Sequence, residues 1–95
     1  MKPLLPTFEF DPTKAAINRR KHGVTFDEAI SVFDDPLSST LPDDQHSDEE
    51  NRFITVGMSA QQRLLFVVYT DKDSRIRLIG ARTVTAAERE QYEQG

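Results

Sequence analysis

The spacing of apolar positions divides the chain in two. Between residues 11 and 35 they recur at helical intervals; between residues 52 and 79 they crowd into short β-branched and aromatic runs. Asp11-Pro12 opens the first helix, because Asp caps a helix N-terminus and Pro is pre-organised for its first position. That helix is expected to run to about His22, where Gly23 supplies a left-handed stop. Thr25-Phe26-Asp27-Glu28 reads as a capping box for a second helix, with Val24 and Ala29 as a hydrophobic staple. Phe26, Ala29, Ile30 and Phe33 make its apolar stripe, and Asp34-Asp35-Pro36 ends it. Arg52–Val56, Leu64–Thr70 and Arg75–Ile79 read as strands, joined by links short enough for hairpins. Two further strands are expected at Leu37–Leu41 and Thr7–Phe10. A second capping box, Thr85-Ala86-Ala87-Glu88, starts a last helix that carries Arg89 and Tyr92. The order predicts an α+β fold: two N-terminal helices, an antiparallel β-meander and a C-terminal helix, with the helices on one sheet face.

Length adds that residues 1–95 make a single domain. The absence of cysteine excludes a disulfide scaffold, a thiolate metal site and a cysteine nucleophile. No apolar run approaches the ~20 residues of a membrane span, and the first residues lack a signal-peptide core, so a cytoplasmic location and no membrane partner are expected.

Charge changes the picture more. The net charge of −4 conceals a partition. Residues 1–24 carry five bases against two acids. Residues 25–51 carry nine acids and no Lys or Arg, and residues 52–95 carry seven bases against five acids. An acidic chain is a poor trap for bulk nucleic acid, yet a local basic face can hold a phosphate. The acidic middle reads as a solvated segment or a surface for a basic partner.

Lys14, Asn18, Lys21 and His22 share one flank of the first helix. Lys and His together can bind phosphate and move a proton, although a solvated polar face gives the same pattern. The second half carries Arg52, Arg63, Arg75, Arg77 and Arg82 against a single lysine, Lys72. Arginine holds phosphate oxygens in a planar fork and suits a transition state gaining negative charge; arginines on an exposed sheet face are also ordinary. Strict alternation puts Arg75 and Arg77 on one face, and Arg82 on the other unless Gly80 bulges the strand. Glu50 and Tyr92 complete the acid–base candidates, with Tyr92 equally suited to covering the sheet. Asp43, His46 and Glu50 mix oxygen and imidazole donors, but their spacing fits no standard ligand set, so no metal and no cofactor is expected.

The motifs together resemble the BrnT toxin family. They are Phe8-Glu9-Phe10-Asp11-Pro12 with Lys14 and Asn18, Lys21-His22-Gly23-Val24-Thr25-Phe26, Glu28-Ala29 and Val32-Phe33-Asp34. To these add His46, Glu50-Asn51-Arg52, Gly57, the Leu65–Thr70 strand, Arg75-Ile76-Arg77-Leu78-Ile79, Ala81-Arg82 and Glu88 with Tyr92. The resemblance implies a RelE-like fold and a ribonuclease toxin of a type II toxin–antitoxin pair. It implies a BrnA-type antitoxin that neutralises the toxin and carries the complex to operator DNA. It also implies metal-independent cleavage of RNA by attack of the ribose 2′-hydroxyl, with inhibition of translation. By resemblance Lys21, His22, Glu50, Arg52, Arg77, Arg82 and Tyr92 form the catalytic set. Arg77 and Arg82 are expected to stabilise charge, and His22 or Glu50 to transfer protons. Lys14, Asn18 and Arg75 are expected to contact RNA.

Two positions depart from the family pattern. Phe10 stands where Trp is usual, a change of packing. Gly80 replaces a Ser, which removes a hydroxyl and can re-aim Arg82. Low basicity and Gly80 keep open an alternative, a catalytically impaired toxin fold acting as corepressor with its antitoxin. Direct DNA binding finds no support, since no recognition helix rich in Arg, Asn or Gln is visible.

Overall fold

A computed structural model of the chain describes residues 6–43 and 51–95. The elements run β1 (Thr7–Glu9), α1 (Pro12–His22), α2 (Phe26–Ser31), a 3-10 turn (Val32–Asp34), β2 (Ser39–Pro42), β3 (Arg52–Met58), β4 (Leu64–Lys72), β5 (Arg75–Thr83) and α3 (Ala86–Gln94). The helix ends form as their caps dictate. The Asp11 carboxylate accepts from the Thr13 N–H at 2.8 Å, and Gly23 ends α1 with φ of 69°. The β4–β5 hairpin turns through Asp73 (φ 54°) and Ser74 (φ 65°), the two positive φ values that a tight hairpin turn needs.

The five strands form one sheet in the order β1-β5-β4-β3-β2. The strands β2 to β5 make the antiparallel meander expected, but β1 pairs parallel with β5, so the sheet is mixed. The N-terminal strand joins the far edge rather than extending the meander.

One sheet face carries the core. Leu65, Val67 and Tyr69 of β4 and Ile76, Leu78 and Ala81 of β5 bury against Val24, Phe26, Ala29 and Val32. Aromatic edges knit this layer: Phe33 stands edge-on to Tyr69 at 5.0 Å and Phe10 edge-on to Phe26 at 5.4 Å. Phe10 thus serves packing. The Tyr69 hydroxyl is satisfied by Thr55 Oγ1 at 2.8 Å, which in turn meets Thr40 Oγ1 at 2.8 Å. Gly57 lets the 3-10 turn close onto β3: a Cβ there would lie 2.8 Å from Val32 Cγ1 and 2.9 Å from Ser38 Cβ.

The expectation that all helices share one face fails for α3. Its Tyr92 and Glu88 border a cleft over Ile54, Val56 and Phe66, whose side chains alternate with the core positions. α3 therefore lies over the face opposite the core. The helix, AAEREQYEQ, buries no residue and has Tyr92 as its one aromatic anchor.

Candidate functional site

The ladder pairing determines which polar side chains gather. Arg52 faces Thr70, and Thr70 faces Arg77, which in turn stands beside Glu9. Cross-strand partners share a face, so Arg52 and Arg77 flank Thr70 two strands apart, roughly 10 Å at the backbone. Arg75 pairs with Lys72 one pleat further on. A register shift between Val68 and Tyr69 then leaves Ile79 of β5 without a ladder partner and pairs Arg82 with Phe66. The bulge that simple alternation lacked is present. Arg52, Arg75, Arg77 and Arg82 all stand on the sheet face that α3 partly covers.

These arginines are held differently. Arg77 is half-exposed, with Glu9 at 3.7 Å its loose ionic neighbour. Arg82 is locked: its two terminal nitrogens meet the Glu88 carboxylate at 2.8 and 2.9 Å, and its guanidinium lies 3.9 Å over the Phe66 ring. Glu88 also closes the α3 capping box by accepting from the Thr85 N–H at 2.9 Å. The Arg82 guanidinium, working against the cost of burial, holds the Glu88 carboxyl down at about 2. The carboxylate stays charged and is a poor proton acceptor near neutrality.

Tyr92 reaches across to Asp35, donating its hydroxyl to Oδ2 at 2.6 Å. Asp35 also accepts from the Met58 N–H at 2.7 Å and the Leu37 N–H at 2.9 Å. Burial pushes the Asp35 carboxyl up, but the bonds from Met58, Tyr92 and Leu37 outweigh it and leave it lowered. The same bond to Asp35 raises the Tyr92 hydroxyl to about 12. Sequence reasoning finds in Asp35 only a helix terminus; its role as the anchor of α3 depends on a bond across 57 positions.

The α1 residues do not join the arginine face. Lys14, Lys21 and His22 are exposed on α1, which packs beside β5. Asn18 is buried and fully engaged. Its amide nitrogen donates to Val24 O at 3.0 Å and Ala81 O at 2.9 Å, and its Oδ1 accepts from the Ala81 N–H at 3.1 Å. β1 covers β5 only from Arg75 to Arg77, and further along the Asn18 side chain supplies the missing neighbour. Gly80 has room for a side chain there, since an added Cβ would sit 3.7 Å from Asn18 Oδ1.

Arg63 is also structural. It pairs with Glu28 through two nitrogens and donates to Gly23 O at 3.1 Å, tying the β3–β4 turn to α2. Ser59 adds a hydroxyl bond to the same carboxylate at 2.7 Å. Glu28 is thereby drawn away from Thr25, whose side chain still accepts from the Glu28 N–H at 3.1 Å. Only half of the expected capping box forms. His46 and Glu50 lie outside the described residues. Among the described residues no three His, Asp or Glu stand together as a metal site, and no helix is long and apolar enough to cross a membrane.

The fold matches a crystal structure of the Brucella abortus ribonuclease toxin BrnT with a TM-score of 0.65 at 16% identity, over 84% of this chain and 97% of that one. No curated protein matches in sequence. Residues 10–88 match the family described as the ribonuclease toxin BrnT of type II toxin–antitoxin systems. The chain belongs to the BrnT family of ribonuclease toxins.

Proposed function

We propose that the chain is a metal-independent endoribonuclease that receives RNA on the arginine-bearing face of its sheet. The gathering of Arg52, Arg75, Arg77 and Arg82 on one face carries this reading. The ribose 2′-hydroxyl attacks the adjacent phosphorus, the 5′-oxygen leaves, and the arginines stabilise the added negative charge of the phosphorane. Arg77 and Arg52 are the accessible donors, while Arg82 contributes once Glu88 releases it. Glu50 takes the 2′-hydroxyl proton and water supplies one to the leaving 5′-oxygen; Arg75 holds a flanking phosphate, while Lys14, Lys21 and His22, which α1 carries away from this face, meet only RNA that runs past the edge of the sheet. Tyr92 orients α3 through Asp35 and sets how much of the face is open. Asn18 supports α1 from within rather than touching RNA.

In the cell this cleavage acts in the cytoplasm and inhibits translation. A BrnA-type antitoxin neutralises it and links the complex to operator DNA. A second reading, an impaired toxin fold acting as corepressor, is favoured by one observation: the Arg82 fork is already filled by Glu88.

Induced expression separates the two. Growth arrest with loss of RNA on a gel, abolished by Arg52→Ala/Arg77→Ala, is the expected result. Normal growth and intact RNA from folded protein would establish the corepressor reading instead.

A further inference from the structure

Thr70 sits between the two accessible arginines. Its ladder partners are Arg52 on β3 and Arg77 on β5, so one row across three strands reads Arg52, Thr70, Arg77, with Glu9 of β1 beyond Arg77. Towards α3 the same face turns apolar, through Ile54 and Val68 to Val56 and Phe66. In the other direction it continues as Lys72 and Arg75. Thr70 is thus the one hydroxyl that β3 and β4 place on this face. The other two hydroxyls of these strands, on Thr55 and Tyr69, face the core and bond each other at 2.8 Å. Thr70 is half-buried, and its hydroxyl meets no partner among the described residues. A β-branched side chain suits a central strand, but Val would serve packing equally, as Val68 does two positions earlier. The row makes a slot: two guanidiniums form its walls, roughly 10 Å apart at the backbone, and a short hydroxyl forms its floor.

We infer that the Thr70 hydroxyl donates a hydrogen bond to a non-bridging oxygen of the scissile phosphate, between Arg52 and Arg77. The inference rests on the ribonuclease reading above. In-line attack puts the 2′-oxygen and the 5′-oxygen at the apices of the phosphorane and leaves the added charge on its non-bridging oxygens. The arginines approach those oxygens from either side, and the floor residue reaches them from below. A donor on a central strand, without a partner in the free protein, meets that charge with little reorganisation. Being neutral, it adds no attraction for RNA phosphates in general, so it acts on the cleavage step more than on capture.

Two substitutions in the full chain test this. Thr70→Val removes the hydroxyl and keeps the branched shape; Thr70→Ser keeps the hydroxyl and drops the methyl. Single-turnover cleavage of a short RNA is expected to fall at least about tenfold in the Val chain, short of the ~100-fold or more of a fully enclosed oxyanion donor, and to recover in the Ser chain. Affinity for a non-cleavable 2′-O-methyl RNA and the urea midpoint of the Val chain are expected to stay at wild-type values, because the bond belongs to the transition state. Sulfur in place of one non-bridging oxygen is expected to slow the wild type, and the Val chain to lose most of that sensitivity. A Val chain that cleaves as fast as wild type makes Thr70 a packing residue and overturns the inference, while the ribonuclease reading stands. A slow Val chain that Ser does not restore overturns it as well. A folded wild type that cleaves no RNA removes the ribonuclease reading. In that case a Thr70 methyl resonance that shifts on adding the 2′-O-methyl RNA keeps the row as a phosphate site, and one that stays fixed removes both.

Discussion

Asn18 stands in for a missing strand with one side chain. Asn18→Ala would leave Ala81 N–H, Ala81 O and Val24 O without their partner inside the fold. The expected loss is about 1–3 kcal/mol, read as a lower urea midpoint at unchanged slope. Gly57→Ala is expected to destabilise by a similar amount, about 1–3 kcal/mol, because the new methyl meets Val32 and Ser38. Gly80→Ser, in contrast, is expected to leave the unfolding midpoint nearly unchanged, since no atom crowds that Cβ. These residues also mark the limit of sequence reading. Lys14, Asn18, Lys21 and His22 share a helical flank by arithmetic, and that much is legible. Nothing in the periodicity says that Asn18 alone of the four turns inward, because two of its three bonds reach Ala81, 63 positions away.

At the scale of elements, α1 and the start of α2 are legible because their caps are local: Asp11, Gly23 and Thr25 act within a few residues of themselves. The face chosen by α3 is not, because it is fixed by two carboxylate bonds made outside the helix, Tyr92 to Asp35 and Glu88 to Arg82. Those bonds give α3 a pH window. Glu88 and Asp35 are both held below their ordinary values, so their contributions are full above the unfolded values of 4.5 and 3.8. The Glu88 share is lost as pH falls from 4.5 towards about 2, and the Asp35 share is lost on acidification as well. Tyr92 behaves oppositely: its share is full below 10.0 and lost as pH rises towards about 12. Amide protection factors across residues 86–94, each exchange rate taken relative to the intrinsic rate at that pH, should therefore be highest between these limits and fall at both ends. A Tyr92→Phe chain should lose the alkaline limb and keep the Glu88 part of the acid limb, with the Asp35 part reduced because Tyr92 no longer donates to it.

For the whole molecule, net charge misleads and arrangement decides. The −4 total hides any basic face; the antiparallel β3–β4–β5 ladder and the register shift in β5 gather the arginines despite it. The Arg75 and Arg77 alternation is visible in the sequence, but the placement of Arg82 needs the ladder. A small basic face neutralises few phosphates, and salt dependence counts them. With a non-cleavable 2′-O-methyl RNA, the slope of log affinity against log salt should shrink by about 1.4 in Arg52→Ala/Arg77→Ala, near 0.7 for each phosphate no longer neutralised. A slope that does not change would place the RNA elsewhere on the molecule.

Glu88 holds two positions at once, closing the first turn of α3 and filling the fork of Arg82. A phosphate that takes that fork must evict the carboxylate, and the same eviction loosens the helix cap. RNA at Arg82 and a fully wound α3 are then mutually exclusive ligands of one guanidinium, and by reciprocity each weakens the other by the same factor. Whatever stiffens α3 would raise the concentration of RNA needed for half-occupancy, and RNA in turn would fray the helix. Exchange at the first α3 amides, followed with and without the 2′-O-methyl strand, reads that antagonism directly: faster with RNA if Arg82 takes part, unmoved if Arg52 and Arg77 act alone.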